Sequence, residues 1–213
     1  FSHALEHSIV HGINHEHISV MIMNKLNDEF EGKLSLAIQI FQNKYSKPFL
    51  HQLISSQLDV DRLDYLKRDS FYSGVSEGII NSDRIISMLN VSGGELVVDA
   101  KAIYSIEKFI IARRLMYWQV YLHKAVISAE FTLVEILKRA KTLVQEGETL
   151  FYTSALGEFL ENNHSLEDFN SKENLLDLFC QLDDFDIMTS IKEWTKHSDA
   201  TLAALSQKII QRK

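Results

Sequence analysis

Five of the nine histidines in this chain fall within its first seventeen residues: His3, His7, His11, His15 and His17. Imidazole ligates metals, and it is the only side chain whose unperturbed pKa lies near neutrality. Such a cluster points to metal binding, proton transfer or contact with phosphate. His3, His7 and His11 are spaced to line one face of a helix. His15 has Glu16 beside it, and an acid next to an imidazole can set its tautomer and raise its basicity. The spacing is not that of an HExxH zinc site, because Ser19 stands where the second histidine would be. For any single ring the plainer alternative is the solvated face of an amphipathic helix.

Two further stretches carry chemistry-bearing residues. Residues 58–70 read LDVDRLDYLKRDS, which on a helix sets Asp61, Tyr65 and Asp69 on one face with Arg62 beside them. Hard cations take oxygen ligands, and mixed histidine/carboxylate sets hold Mn, Fe or Zn. The alternative for the same stretch is structural. Asp59 would serve as a helix N-cap or first-turn acid, and Asp64 with Arg68 would form an ordinary ion pair one turn apart. Residues 112–124 read ARRLMYWQVYLHK and place Arg113, Tyr117, Tyr121 and Lys124 on one side. Arginine grips phosphate oxygens with two parallel N–H groups, and tyrosine can pack on a sugar or donate to it. An aromatic stripe of this kind also serves as ordinary core packing.

The elements that must position these residues are helices. One proline and eight glycines in 213 residues leave little to interrupt them and exclude a turn-rich all-β fold. The periodicity predicts helices over 2–10, 15–27, 33–43, from Pro48, over 59–69 and over 82–89. NVSGGELVVDA, residues 90–100, reads instead as a β-hairpin turning at Gly93-Gly94. From Ala102 to about Glu146 nothing breaks the helical pattern, which implies one long helix or two nearly collinear ones. Residues 152–211 alternate helical stretches with joints at Asn162-Asn163, Ser171 and His197-Ser198. The fold class is all-α, a helical bundle with one small β excursion near 85–100.

Net charge is −7, against the basic surplus of a duplex-coating protein, so nucleic acid is a disfavoured partner though an open one. An anionic small substrate stays open, because a metal and a few arginines outweigh a distant acidic surface. No apolar run reaches the length of a membrane span, so no membrane partner is expected. The lone Cys180 fits a reducing, cytoplasmic setting.

Three stretches together resemble the HD superfamily of phosphohydrolases. They are Phe1-Ser2-His3-Ala4-Leu5-Glu6 with Asn14-His15-Glu16, Leu58 to Asp69 with Gly74, and Arg113 to Lys124. The pattern D-x-D-x-x-D-Y-x-x-R-D points to the branch of dNTP triphosphohydrolases, the sterile-alpha-motif/HD-domain dNTPases among them. The resemblance implies an HD-domain bundle with a C-terminal helical lobe. Residues 1–145 would be the C-terminal portion of the catalytic domain and residues 146–213 the lobe. It implies a divalent metal (Mn, Fe, Zn or Mg) with Asp61 as a ligand. His15, Glu16 and Glu6 would form the catalytic group, with His15 as general acid. His3, Arg62, Tyr65, Asp69, Arg113 and Tyr121 would contact substrate. Asp69 would hold the 3′-hydroxyl of a deoxynucleoside triphosphate, and Tyr65 would crowd the 2′ position. A homo-oligomer and a nucleotide activator are further implied partners. The remaining ligands, a histidine and a His-Asp pair, are expected upstream of Phe1, which makes this a fragment expected to be inactive alone. An HD phosphohydrolase of another phosphoester and a non-catalytic HD-fold module are the rival readings.

Overall fold

The computed structural model of the chain describes residues 15–172 and 174–212. The helix expected over 2–10, and with it His3, Glu6, His7 and His11, lies outside the described residues. Two compact units form. Among the described residues, one comprises 15–22 together with those from Ile127 onward, and the other is Met23–Val126. The units divide elsewhere than the expected 145/146 boundary. A single helix runs from Lys124 to Gln145, and its buried Val134, Ile136, Leu137, Ala140 and Leu143 serve the core of the first unit.

The unit Met23–Val126 takes in the end of α1 (His15–Glu29), then α2 (Ser35–Phe41), α3 (Pro48–Ile54) and α4 (Val60–Ser73). After these come α5 (Ser82–Ser87), a hairpin of β1 (Leu89–Ser92) and β2 (Glu95–Val98), and α6 (Ile103–Met116). Helix α2 is shorter than the expected 33–43. The chain turns at Glu31 and Gly32, both at positive φ, and Asn27 accepts the Leu34 amide at 2.8 Å to hold that turn. Pro48 opens α3 at the position where a missing N–H costs nothing. The hairpin pairs Leu89 with Val98 through Ser92 with Glu95, and Gly93 and Gly94 have φ of 61° and 87°. Two successive positive-φ residues make the turn whose twist matches the strands. Helix α3 braces the hairpin: the Gln52 side chain accepts the Leu96 amide at 2.7 Å.

Helix α4 starts because the Asp59 carboxylate accepts the Arg62 amide at 2.8 Å. It stops at Gly74, whose φ of 72° closes the helix in the left-handed region. Leu63 and Leu66 face a core shared with Ile80, Ile85, Phe109, Ala112 and Met116. The expected unbroken helix from 102 is interrupted. After Met116 the chain makes a π-helical turn, Tyr117–Tyr121, and then a short break before α7 (Lys124–Gln145).

In the other unit, α8 (Ser154–Glu161), α9 (Leu166–Ser171), α10 (Leu175–Gln181), α11 (Asp184–Trp194) and α12 (Ala200–Gln211) surround a second core. Phe159, Leu156, Leu160, Ile187, Ile191, Trp194 and Leu202 are all essentially inaccessible there. The three expected joints are present. A fourth break, at Leu182-Asp183, is set by a capping box between Asp183 and Asp186. Arg139 on α7 holds Asp199, the N-cap of α12, through Nη2 at 2.6 Å. Among the described residues no helix is long and apolar enough to cross a membrane.

Candidate functional site

One side of α4 meets the end of α6 and the turn after it, and five of the residues singled out in the sequence come together there. The Tyr121 hydroxyl donates to Asp69 Oδ2 at 2.7 Å. Its ring stands edge-on to Tyr65, with centroids 5.9 Å apart, and to Tyr117 at 5.3 Å. The Arg113 guanidinium lies 5.7 Å from the centre of the Tyr117 ring, and its Nη1 donates to Gln57 Oε1 at 3.1 Å. Gln57, Tyr65, Asp69, Arg113, Tyr117 and Tyr121 are thus one linked wall.

The π-helical turn helps build it. Its backbone closes through the Leu122 amide bonding the Tyr117 carbonyl at 2.7 Å, five residues back. Turns of this kind recur where a helix must present side chains that a regular helix would misalign.

Two of the wall's three phenols, Tyr65 and Tyr121, have raised pKa values that keep them neutral. Burial raises the Tyr65 pKa first and the Tyr117 phenol second, with Arg113 and Arg62 pulling the other way. Burial also leads for Tyr121, followed by the hydrogen bond to Asp69, and pushes it well above the ordinary phenol value. Near neutral pH the wall therefore offers hydroxyl donors, a carboxylate and a guanidinium, a set matched to sugar hydroxyls and phosphate oxygens.

The other expected residues are placed differently. Asp61 is exposed in the first turn of α4 and makes no hydrogen bond or ion pair among the described residues. Its oxygens suit a hard cation, yet among the described residues no group of three or more histidine, cysteine or acidic side chains gathers into a metal site. Arg62, expected to touch phosphate, turns back onto its own helix start. Its Nη1 donates to the Ser56 carbonyl and to the Asp59 carboxylate, which is buried. The Asp59 cap, read from the sequence as the structural alternative, has drawn the guanidinium in. His15 and Glu16 open α1, exposed, in the other packing unit from Asp61. His3 and Glu6 are outside the described residues.

Gln57 was missed by sequence reasoning. It precedes the N-cap of α4, where no periodicity marks it, and only the fold brings Arg113 within reach. A separate open cleft of about 660 Å³ lies on the other side of α4, lined by Asp64, Lys67, Arg68, Phe71, Gly74 and Ile79 among others. It includes none of the expected site residues. Asp64 and Arg68 pair with each other at 3.1 Å on its rim.

Comparison with known proteins bears on what such a wall serves. Residues 80–148 match the HD associated region. The chain is 55% identical to a solved phosphohydrolase of Bacteroides thetaiotaomicron, with a TM-score of 0.95 over all of this chain and 53% of that one. The all-α fold with one small hairpin is thus the fold of an HD-type phosphohydrolase. An uncharacterized protein of Bacillus subtilis, YwfO, is 34% identical over 174 residues, covering 82% of this chain and 38% of that protein. The deoxynucleoside triphosphate triphosphohydrolase SAMHD1 homolog of Dictyostelium discoideum is 24% identical over 167 residues, 70% of this chain and 32% of that protein. The chain therefore spans about half the length of the solved relative and less of the other two.

Proposed function

We propose that this chain is the substrate-gripping part of a metal-dependent phosphohydrolase that converts dNTPs to deoxynucleoside and triphosphate. The observation that carries the reading is the Asp69–Tyr121 pair, closed by Tyr65 and continued to Arg113 through Tyr117. A carboxylate and a phenol at one end suit the 3′-hydroxyl of a deoxyribose, and a guanidinium at the other suits phosphate. The similarity to a named phosphohydrolase and to a triphosphohydrolase homolog supports the same assignment.

In this reading Asp69 accepts the 3′-hydroxyl, Tyr65 fills the space a 2′-hydroxyl would need, and Arg113 neutralises phosphate charge while Gln57 steadies it. Water adds to the α-phosphorus, the bond to the 5′ oxygen breaks, and His15 delivers the proton to that oxygen, with Glu16 and Glu6 supporting it. His3 and Arg62 would stand near the phosphates, Arg62 only by releasing Asp59. A divalent metal, held in part by Asp61 and otherwise by ligands outside these residues, would supply Lewis acidity and an activated water. An activator nucleotide belongs to the same reading.

The test is triphosphate release from each dNTP by the whole protein with Mn²⁺. Asp61→Ala is expected to abolish it without changing the fold, because Asp61 is exposed and makes no hydrogen bond or ion pair among the described residues. Asp69→Asn and Tyr65→Ala should narrow the preference for dNTPs over rNTPs. Triphosphate release that survives Asp61→Ala would defeat the assignment. Unaltered sugar discrimination in both wall variants would point to a different phosphoester.

A further inference from the structure

The open cleft beside α4 is preformed. Asp64, Lys67, Arg68 and Phe71 line it from one face of the helix, at steps of three and four residues. Past the helix end the chain turns back and adds Gly74, Ser76 and Ile79 to the lining. Two contacts hold that return against α4. The Ser70 hydroxyl donates to the Val75 carbonyl at 2.6 Å. Gly78 lies so close that a Cβ on it would stand 2.9 Å from the Leu66 carbonyl.

The apolar part of the lining is uncovered. Phe71 is 80% exposed and Ile79 58%, and the Phe71 ring stands edge-on to Tyr72 with centroids 5.3 Å apart. Such side chains in water forgo the burial that a ligand's apolar body would supply. The charges of the lining are unevenly matched. Asp64 and Arg68 neutralise each other, whereas Lys67 makes no ion pair or hydrogen bond among the described residues. One positive charge is left over. About 10 Å of helix separates Lys67 from Gly74, where α4 ends and its last carbonyls disfavour an anion. An anionic group therefore belongs at the Lys67 end, with an apolar body reaching toward Phe71 and Ile79.

We infer that this cleft binds an amphipathic monoanion, a carboxylic acid with an acyl or aryl body. Its volume of about 660 Å³ falls among those of small-molecule sites, about 300–1,000 Å³. A nucleoside triphosphate is matched poorly, because a single lysine leaves most of its charge unbalanced. A neutral lipid is matched poorly too, because it leaves Lys67 without a counter-charge. The inference stands apart from the proposed chemistry, since no residue of the cleft belongs to the wall built on Asp69 and Tyr121.

The experiment measures displacement of the fluorescent aryl sulfonate anilinonaphthalenesulfonate from the whole protein. Octanoate and octanol are the competitors, alike in chain and different in charge. Octanoate is expected to displace the probe about tenfold more effectively than octanol. Lys67→Met should erase that advantage and leave octanol unchanged. Ser76→Trp, which fills the cleft from an exposed position, should remove the displaceable signal for both competitors. Inorganic phosphate and dATP should displace nothing. Lys67 and Ser76 are both exposed, and unchanged circular dichroism spectra establish that folding is intact. The inference is overturned by the lack of any displaceable probe, or by an octanoate advantage that persists in Lys67→Met. Displacement that survives Ser76→Trp, or that dATP produces, overturns it equally.

Discussion

Replacing Tyr121 with phenylalanine removes one oxygen and leaves the ring in place between Tyr65 and Tyr117. The lost interaction is a 2.7 Å hydrogen bond to the Asp69 carboxylate. A bond to a charged acceptor contributes about 1.5–3 kcal/mol when its surroundings are dry. Here both partners are half-buried, so the freed carboxylate regains water, and the net loss should be about 1 kcal/mol. For a chain of this length that lowers the midpoint of thermal unfolding by about 2–4 °C. Tyr72→Phe is the control, because Tyr72 is 80% exposed and should shift nothing.

The pH dependence makes the test sharper. Tyr121 has its pKa raised in the folded state, so its contribution is complete below the unfolded phenol value near 10 and is lost as pH climbs beyond that. The stability gap between parent and Tyr121→Phe should therefore shrink above about pH 10. Urea unfolding at neutral pH and again above pH 10 measures it. A variant as stable as its parent at neutral pH, or a gap that widens with alkali, would refute the reasoning.

Two further outcomes follow from the packing. Gly78→Ala should destabilise by about 1–3 kcal/mol in urea unfolding, since a Cβ there would lie 2.9 Å from the Leu66 carbonyl and 2.8 Å from Ser70 Cβ. The backbone of α4 cannot step aside without moving Tyr65 and Asp69. Asp199, held near a pKa of about 2 chiefly by the Arg139 guanidinium and then by the Leu202 amide, should contribute stability above about pH 4 that fades as pH falls toward 2. Thermal midpoints across that window should fall more steeply for the parent than for Asp199→Asn.

Much of this molecule was legible where one residue type decides the local geometry. Pro48, Gly93-Gly94 and Asp59 each fix φ or satisfy a helix end without help from distant parts of the chain. The Asp64–Arg68 ion pair, one helical turn apart, was legible for the same reason. The interruption at 117–123 was not, because every residue there tolerates a helix and only packing against α4 selects the wider turn. The site divides along the same line. Spacing gave the stripe of Asp61, Tyr65 and Asp69 and the stripe of Arg113, Tyr117 and Tyr121. Their meeting through Asp69 and Tyr121 is a long-range event, 52 residues apart. Arg62, expected near phosphate, is held in this structure by the buried Asp59 three residues away, a contact that spacing alone left as the structural alternative.

The wider turn at Tyr117–Tyr121 also fixes how this region tolerates insertion and deletion. Removing one residue from it would let the segment relax into an ordinary helix. The widened turn spends one extra residue on a single turn, so such a deletion would leave the chain beyond it on its present course. An insertion, with no further widening to absorb it, would instead rotate Tyr121 by about 100° about the axis and off Asp69. Length in this five-residue stretch is consequently as much a part of the site as the identity of its tyrosines.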